Sequence, residues 1–588
     1  MNAVRLLSRR RPLLTCYGRR RLLLDVATRS RQLSVRFASD GSSAPPEPKT
    51  SITNSDPEKT LLTLAIETSC DDTCVALLEK ERGEGGAARV LFQWRITADN
   101  RSWGGINPLP TVEAHTSTLA KMIQAAMEAL PPLAPPDGPS LAGGTSSTEP
   151  DGSLPRRIPD FVSVTRGPGM NTALSVGLNT AKGLALAWGV PFVGVHHMQA
   201  HLLTPRLVSA LKRPFGDAEK AKHKTVDTEA VAPQPAAAAA ESGDVSSVSD
   251  AGLTAPSEMN LHWPRFPFFT LLVSGGHTML LRSKNLVQHT TLAEVEGFAA
   301  GDALDKCARA ILPAEYHGKT SSYASLLEKF VYPQGSSFFN TYKAPMSRAE
   351  EIATVAPSRR LLEARTPQQR SSVDIIYTED NGPRYPWALR PPLAKSREMK
   401  FAFGGLHDQV LTIVKQREAA GGMDYQERRV LGHETMRIMF EHLGSRVLLY
   451  LDSNKKQNRK RNTTKSTGHP ALFRLMVGGG VASNKFLRLI LRQMLEAHGY
   501  KPVVVFAPPV GLCTDNAVMV AWAGMEMFEA GCTTHLSALP KKKWALDHRV
   551  DGGILGNYKD GLGNYMSDRI NTGEPSSELV KGAEEVSK

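Results

Sequence analysis

Residues 61–79, LLTLAIETSCDDTCVALLE, set two apolar runs on either side of a polar Thr-Ser-Cys-Asp-Asp-Thr turn. Runs of that length, bounded by turn residues, read as strand, loop, strand. Far along the chain, residues 268–283, FFTLLVSGGHTMLLRS, repeat the pattern around a Gly-Gly turn. Between them, residues 161–188 (FVSVTRGPGMNTALSVGLNTAKGLALAW) predict a strand, a Gly-Pro-Gly turn and a helix. Its apolar face is Ala173, Leu174, Leu178, Ala181, Leu184, Ala185 and Trp188. Residues 472–495 (LFRLMVGGGVASNKFLRLILRQML) give strand, glycine loop, helix once more. The alternation predicts an α/β layered protein, and the paired hairpins predict two related lobes.

Composition narrows the class. The chain has 588 residues, enough for several cores, with 41% hydrophobic and 22% charged residues. No stretch reaches the roughly 18–20 apolar residues of a membrane span. Six scattered cysteines (Cys16, Cys70, Cys74, Cys307, Cys513, Cys532) do not make a disulfide framework and point to a reducing compartment. The net charge of +13 is concentrated in residues 1–40, which hold ten arginines, no lysine and only Asp25 and Asp40 as acids. With leucine alternating with arginine, that segment reads as a mitochondrial import leader, the other reading being a basic arm on nucleic acid. The remainder is only mildly basic. Lys455, Lys456, Arg459, Lys460, Arg461 and Lys465 form one cationic run and Lys541–Lys543 another. Each is either a solvated charge run or a set of phosphate contacts.

Three glycine loops could hold an anion: Gly167-Pro168-Gly169, Ser274-Gly275-Gly276-His277-Thr278 and Gly478-Gly479-Gly480. Neither the dinucleotide-binding spacing nor a Gly-Lys-Ser/Thr phosphate loop is present. Two hairpin loops plus a glycine-rich strand–helix loop fit a two-lobed actin-like ATPase (ASKHA) fold, with a nucleotide in the cleft. Asn484 begins a helix, where it either reads a purine or ribose or caps the helix. Asp305, in GDALDKCARAIL (301–312), either bonds ribose or lies on a solvated helix face.

In VGVHHMQAHLLTPRL (193–207), His197 and His201 are four apart, so on a helix both rings share a face and could share a metal or be satisfied in the core. His196 points elsewhere, and His115 is a lone histidine, structural or substrate-facing. Asp515, in the polar Cys-Thr-Asp-Asn that opens an apolar helix at 508–524, is the best third ligand. Two His and one Asp leave open positions, which suits a catalytic or substrate-orienting metal. A zinc peptidase would carry a glutamate between its histidines, whereas here Met198, Gln199 and Ala200 stand there.

Taken in order, IETSCDDT (66–73), GPGMNTALSVG (167–177), HHMQAHLL (196–203), LLVSGGHT (271–278), the Asp-Lys pair (305–306), FAFGGL (401–406), GGVASNKFLR (479–488), LCTDNAVM (512–519) and KKWALD (542–547) resemble the universal tRNA N6-adenosine threonylcarbamoyltransferase family, formerly the glycoproteases, in its mitochondrial branch. The resemblance implies one divalent metal ion per subunit, zinc or iron, on His197, His201 and Asp515. It implies nucleotide contacts at Ser274, Gly275, Gly276, His277, Thr278, Asp305 and Asn484, with Asp71 a candidate proton acceptor. The substrates implied are threonylcarbamoyl-AMP and mitochondrial tRNAs that read codons beginning with A, modified on N6 of the adenosine just 3′ of the anticodon. The partners implied are a second copy of the chain and the enzyme that makes the adenylate, in the mitochondrial matrix. This chain departs from the family at Asp72, usually Glu, at Gln199-Ala200, usually Glu-Gly, and within GGINPLPTVEAH (104–115). The rival classes are an actin-like ATPase or sugar kinase, a metallopeptidase and a nucleotide-binding scaffold. The expected organisation is a leader and linker (1–56), a first actin-like lobe (57–212, with an insertion at 131–157) and a low-complexity insertion (213–260). A second lobe returning to the first (261–548, with insertions at 312–398 and 452–470) and a tail (549–588) complete it.

Overall fold

The structure, a computed structural model, describes residues 57–83, 85–100, 103, 106–133, 155–213, 215, 264–318, 322–333, 342–352, 385–461, 474–500 and 504–556. The import leader, the interior of the 131–157 insertion and nearly all of 213–260 lie outside the described residues.

The 61–79 block forms β1 (Thr60–Glu67) and β2 (Asp72–Glu81), paired antiparallel. β3 (Ala88–Thr97) continues the meander, while β4 (Phe161–Gly167) and β5 (Phe192–His196) add in parallel on the far side of β1. The order is β3-β2-β1-β4-β5. The second block forms β6 (Phe268–Val273) and β7 (Thr278–Ser283), followed by β8 (His289–Glu296), β9 (Lys400–Ala402), β10 (Arg474–Gly478) and β11 (Val504–Phe506). Its order, β11-β10-β6-β7-β8-β9, repeats the first sheet strand for strand and adds β9 beside β8.

Every residue of β1 is buried, as a strand covered on both faces requires. Leu62, Leu64 and Ile66 face the helices Pro108–Glu128 and Asn171–Trp188. Leu61 and Ala65 face the opposite core, shared with Leu272 and Leu281 of the second sheet. That shared core contains the helices His197–Leu211 and Ala517–Glu529. Both are buried nearly all round, as helices enclosed between sheets must be. The other face of the second sheet (Leu271, Val273, Leu280) packs on the helices Ala300–Ile311, Gly404–Ala419, Tyr425–Arg461 and Lys485–Ala497.

Two stretches read as insertions are partly regular. The helix from Tyr425 runs on to Arg461, inside 452–470, because that sequence has no proline or glycine before Gly468 to stop it. Within 312–398, the helix Tyr323–Val331 and the buried Tyr332, Trp387 and Leu389 join the second sheet's outer core.

Candidate active site

β5 ends at His196 and the next helix starts at His197, so the two histidines have different duties. His196 is the cap: its Nδ1 accepts the Met198 N–H at 3.2 Å and its Nε2–H donates to the Trp544 carbonyl at 3.1 Å. Burial holds its imidazole down at about 3, hence neutral. His197 and His201 share a face one turn apart, their rings perpendicular with centroids 4.8 Å apart.

Asp515 lies just ahead of the helix Ala517–Glu529, whose cap Asn516 accepts the Met519 N–H at 2.8 Å. Its Oδ1 lies 3.0 Å from His201 Nε2 and 3.6 Å from His197 Nε2. One ligand atom from each of the three residues lies within 4.8 Å of the others. The three expected ligands therefore converge, although 314 positions separate His201 from Asp515.

Glu67, at the end of β1, is the residue the sequence reading missed. Its Oε2 faces His197 Nδ1 at 3.3 Å and accepts the Thr165 hydroxyl, while Oε1 accepts the Ser69 N–H at 2.6 Å. Burial pushes the Glu67 carboxyl up, but the neighbouring His197 charge prevails and holds it below the usual range. Burial would lower His197, yet Asp515 and then Glu67 raise it to about 9. Asp515 is pushed up by burial and drawn well below its ordinary value by His197 and His201. With Nδ1 held by Glu67, His197 turns Nε2 toward Asp515. Two imidazole nitrogens and a carboxylate facing one another, with a second carboxylate fixing a tautomer, form a donor set that fits zinc or iron.

Beside this cluster lies a cavity of about 680 Å³. Asp71, Gly275, Gly301, Asp305, Gly318, Gly480, Asn484 and Thr514, the neighbour of Asp515, are among its lining residues. A Cβ added at Gly275 or Gly276 would meet nothing within 4 Å, and neither has a positive φ. Local packing thus gives no reason for glycine there, whereas close approach of a ligand does. Two of that loop's hydroxyls are engaged within the protein. Ser274 Oγ accepts the His277 N–H at 3.0 Å, and Thr278 Oγ1 accepts the Ala300 N–H at 2.8 Å. Burial and then the charges of His197 and His201 push His277 down to about 4, so its imidazole is neutral.

Asn484 is a cap: its Oδ1 accepts the Leu487 N–H at 3.1 Å. Among the described residues, its amide nitrogen meets Met436 Sδ, at 3.9 Å. Asp305 is neither free nor simply solvated. It accepts the Tyr323 and Ala324 N–H groups and the Arg309 Nε–H at 2.6, 3.1 and 3.0 Å, so it caps the helix Tyr323–Val331. His115 is structural, buried between Thr73 Oγ1 at 2.7 Å and the Cys70 carbonyl at 2.9 Å, where it braces the turn that carries Asp71. Gly318, with φ 74°, also lines the cavity.

The family model TsaD, tRNA N6-adenosine threonylcarbamoyltransferase, matches residues 155–228 and 245–522, well over half of the chain. A relative from Schizosaccharomyces pombe named "tRNA N6-adenosine threonylcarbamoyltransferase, mitochondrial" is 26% identical over 497 residues, 83% of this chain and 87% of that protein. A Brucella anthropi protein named tRNA N6-adenosine threonylcarbamoyltransferase is 26% identical over 488 residues, 83% of this chain and 95% of that one. Among solved structures, YeaZ from Pseudomonas aeruginosa aligns with 25% of this chain and 47% of its own at 20% identity, with a TM-score of 0.15 that supports no argument.

Proposed function

We propose, for a chain that belongs to the tRNA N6-adenosine threonylcarbamoyltransferase family, a reaction whose donor is threonylcarbamoyl-AMP and whose acceptors are mitochondrial tRNAs reading codons that begin with A. That it is a transferase of tRNA modification follows from the family; donor, tRNA set and matrix location are the proposal. The observation that carries it is the meeting of His197, His201 and Asp515 beside a cavity lined by Gly275, Asn484 and Asp71. The repeated strand order of the two sheets supports reading the α/β architecture as two actin-like lobes with a nucleotide between them.

The donor is a mixed anhydride, so no protein nucleophile is required. Adenosine N6 attacks the carbamoyl carbon, the new C–N bond forms, the C–O bond to phosphate breaks, and AMP leaves with the electron pair. N6 is a weak nucleophile because its lone pair is delocalised into the ring, so positioning dominates the rate. Gly275 and Gly276 leave room for the AMP group, and the Asn484 amide is placed to donate to its base or ribose. Asp305 shapes the wall by capping the helix Tyr323–Val331. Asp71 is the candidate acceptor for the N6 proton. When bound at His197, His201 and Asp515, a divalent ion supplies Lewis-acid stabilisation of the charge that develops on the carbonyl oxygen.

The test is reconstitution: purified protein, threonylcarbamoyl-AMP and unmodified mitochondrial tRNA, with the nucleosides read by mass spectrometry. Threonylcarbamoyladenosine should appear in wild type and be lost by at least about a hundredfold in His197→Ala. No modified nucleoside from metal-loaded wild type, or unchanged mitochondrial tRNA in cells lacking the protein, would sink the reading. A fusion of residues 1–56 to a fluorescent reporter tests the location separately.

A further inference from the structure

The second cationic run does not stand alone. Lys541 N–H donates to the Arg166 carbonyl at 2.8 Å and the Gly169 N–H donates to the Lys542 carbonyl at 3.4 Å, so the run is bolted to the Gly167-Pro168-Gly169 loop. The fit is close, since a Cβ on Gly167 would lie 2.2 Å from the Lys541 carbonyl oxygen. Two side chains from the first sheet's elements join it. Arg166 donates to the Leu539 carbonyl at 2.9 Å and Lys182 to that of Ala538 at 2.5 Å. The Trp544 ring carries two of the cations, Lys541 Nζ at 4.6 Å and the Arg166 guanidinium carbon at 5.6 Å from its centroid.

Among the described residues, Lys182, Lys541, Lys542 and Lys543 form no ion pair, and the Lys541 ammonium has no hydrogen-bond acceptor. Burial and then the Arg166 charge hold Lys541 at about 8 and lower Lys182. Lys542 and Lys543 are exposed. Like charges gathered in one segment repel one another, and an anion that seats there relieves the repulsion.

The segment is also tied to the candidate active site by hydrogen bonds. The Lys542 carbonyl holds Gly169, the Met170 N–H donates to the Ser69 carbonyl at 2.9 Å, and Ser69 Oγ lies 3.2 Å from His197 Nδ1. On the other side, the Trp544 carbonyl accepts from His196, the residue before His197.

We infer that Lys542 and Lys543, backed by Arg166, Lys182 and the buried Lys541 ammonium, form the docking surface for the sugar-phosphate backbone of the acceptor RNA next to the modified base. This rests on the proposed function, because it assumes that the substrate is RNA.

The experiment measures binding of an unmodified tRNA transcript to the full protein between about 50 and 200 mM salt, for wild type and the exposed double variant Lys542→Gln/Lys543→Gln. The variant should bind roughly tenfold more weakly at the low end, and its slope of log affinity against log salt should fall by about 1 to 2. AMP binding and the melting temperature should not change. Lys542→Arg/Lys543→Arg should restore both affinity and slope. Equal affinity and slope in wild type and the Gln variant would overturn the docking surface while leaving the proposed function standing. Absence of tRNA binding by wild type would overturn both. Loss of binding to vesicles containing phosphatidylserine, with tRNA binding intact, would overturn it in favour of a membrane contact.

Discussion

Glu67 decides which nitrogen of His197 is available. It accepts at Nδ1, so Nε2 is the atom left to face Asp515 and His201. Carboxylates behind metal-binding imidazoles fix ring and tautomer and raise ligand basicity. Glu67→Gln keeps the volume and an acceptor oxygen but removes the charge. It should weaken zinc binding by about tenfold, read by competition with a chromophoric chelator, with little change in the fold. An unchanged zinc affinity would reduce Glu67 to a structural neighbour. His197, His201 and Asp515 were legible because spacing marked the histidines and an acid opening an apolar helix marked Asp515. Glu67 was not, because it closes a strand of buried apolar residues and the group that gives it meaning is 130 positions away.

The helix Ala517–Glu529 holds Asp515 in place through the Asn516 cap, and it lies unusually close to β4. A Cβ on Gly524 would come within 2.1 Å of Ser163 Oγ and 2.9 Å of its Cβ. Gly524→Ala must push helix and strand apart. It should cost about 1–3 kcal/mol in urea unfolding and also weaken metal binding, since the displaced helix anchors Asp515, the proposed ligand just ahead of it. Gly183→Ala is the control, because its Cβ meets nothing within 4 Å on an exposed helix position. It should stabilise by up to about 1 kcal/mol. If Gly524→Ala is neutral in both assays, the close approach does not position Asp515. At this scale the paired hairpins were legible from alternation alone. The helix through Arg461 was not, because a polar helix end and a polar loop share one composition. Nor was the packing of Trp387 and Leu389, which sit among prolines without a repeating pattern.

Among the described residues, six histidines are held below their ordinary range: His196 at about 3, His277, His289 and His433 each at about 4, His442 well below the ordinary value, and His115. Burial is the leading cause in each. The folded state refuses protons that the unfolded chain takes up near pH 6.5, so their contribution is present above that pH and is lost as pH falls toward 4. Asp72, raised to about 6, and Glu328 and Glu529, also raised, act in the opposite sense but number three. Stability should therefore fall on acidification from pH 6.5 to 5, measured by thermal melting. His433→Gln, which leaves Tyr332 an acceptor, should flatten that slope by up to about 1.4 kcal/mol per pH unit. A slope identical to wild type would show that His433 titrates normally in the fold. The α/β class was legible at this scale because each hairpin announces its own sheet. Which helices lie between the sheets was not, since continuous burial and a one-sided stripe look alike over short apolar windows. One further consequence follows from the 314 positions between His201 and Asp515. During synthesis the imidazoles emerge long before the acid that completes their set, so a ribosome halted before that acid releases a polypeptide lacking one of the three proposed ligands.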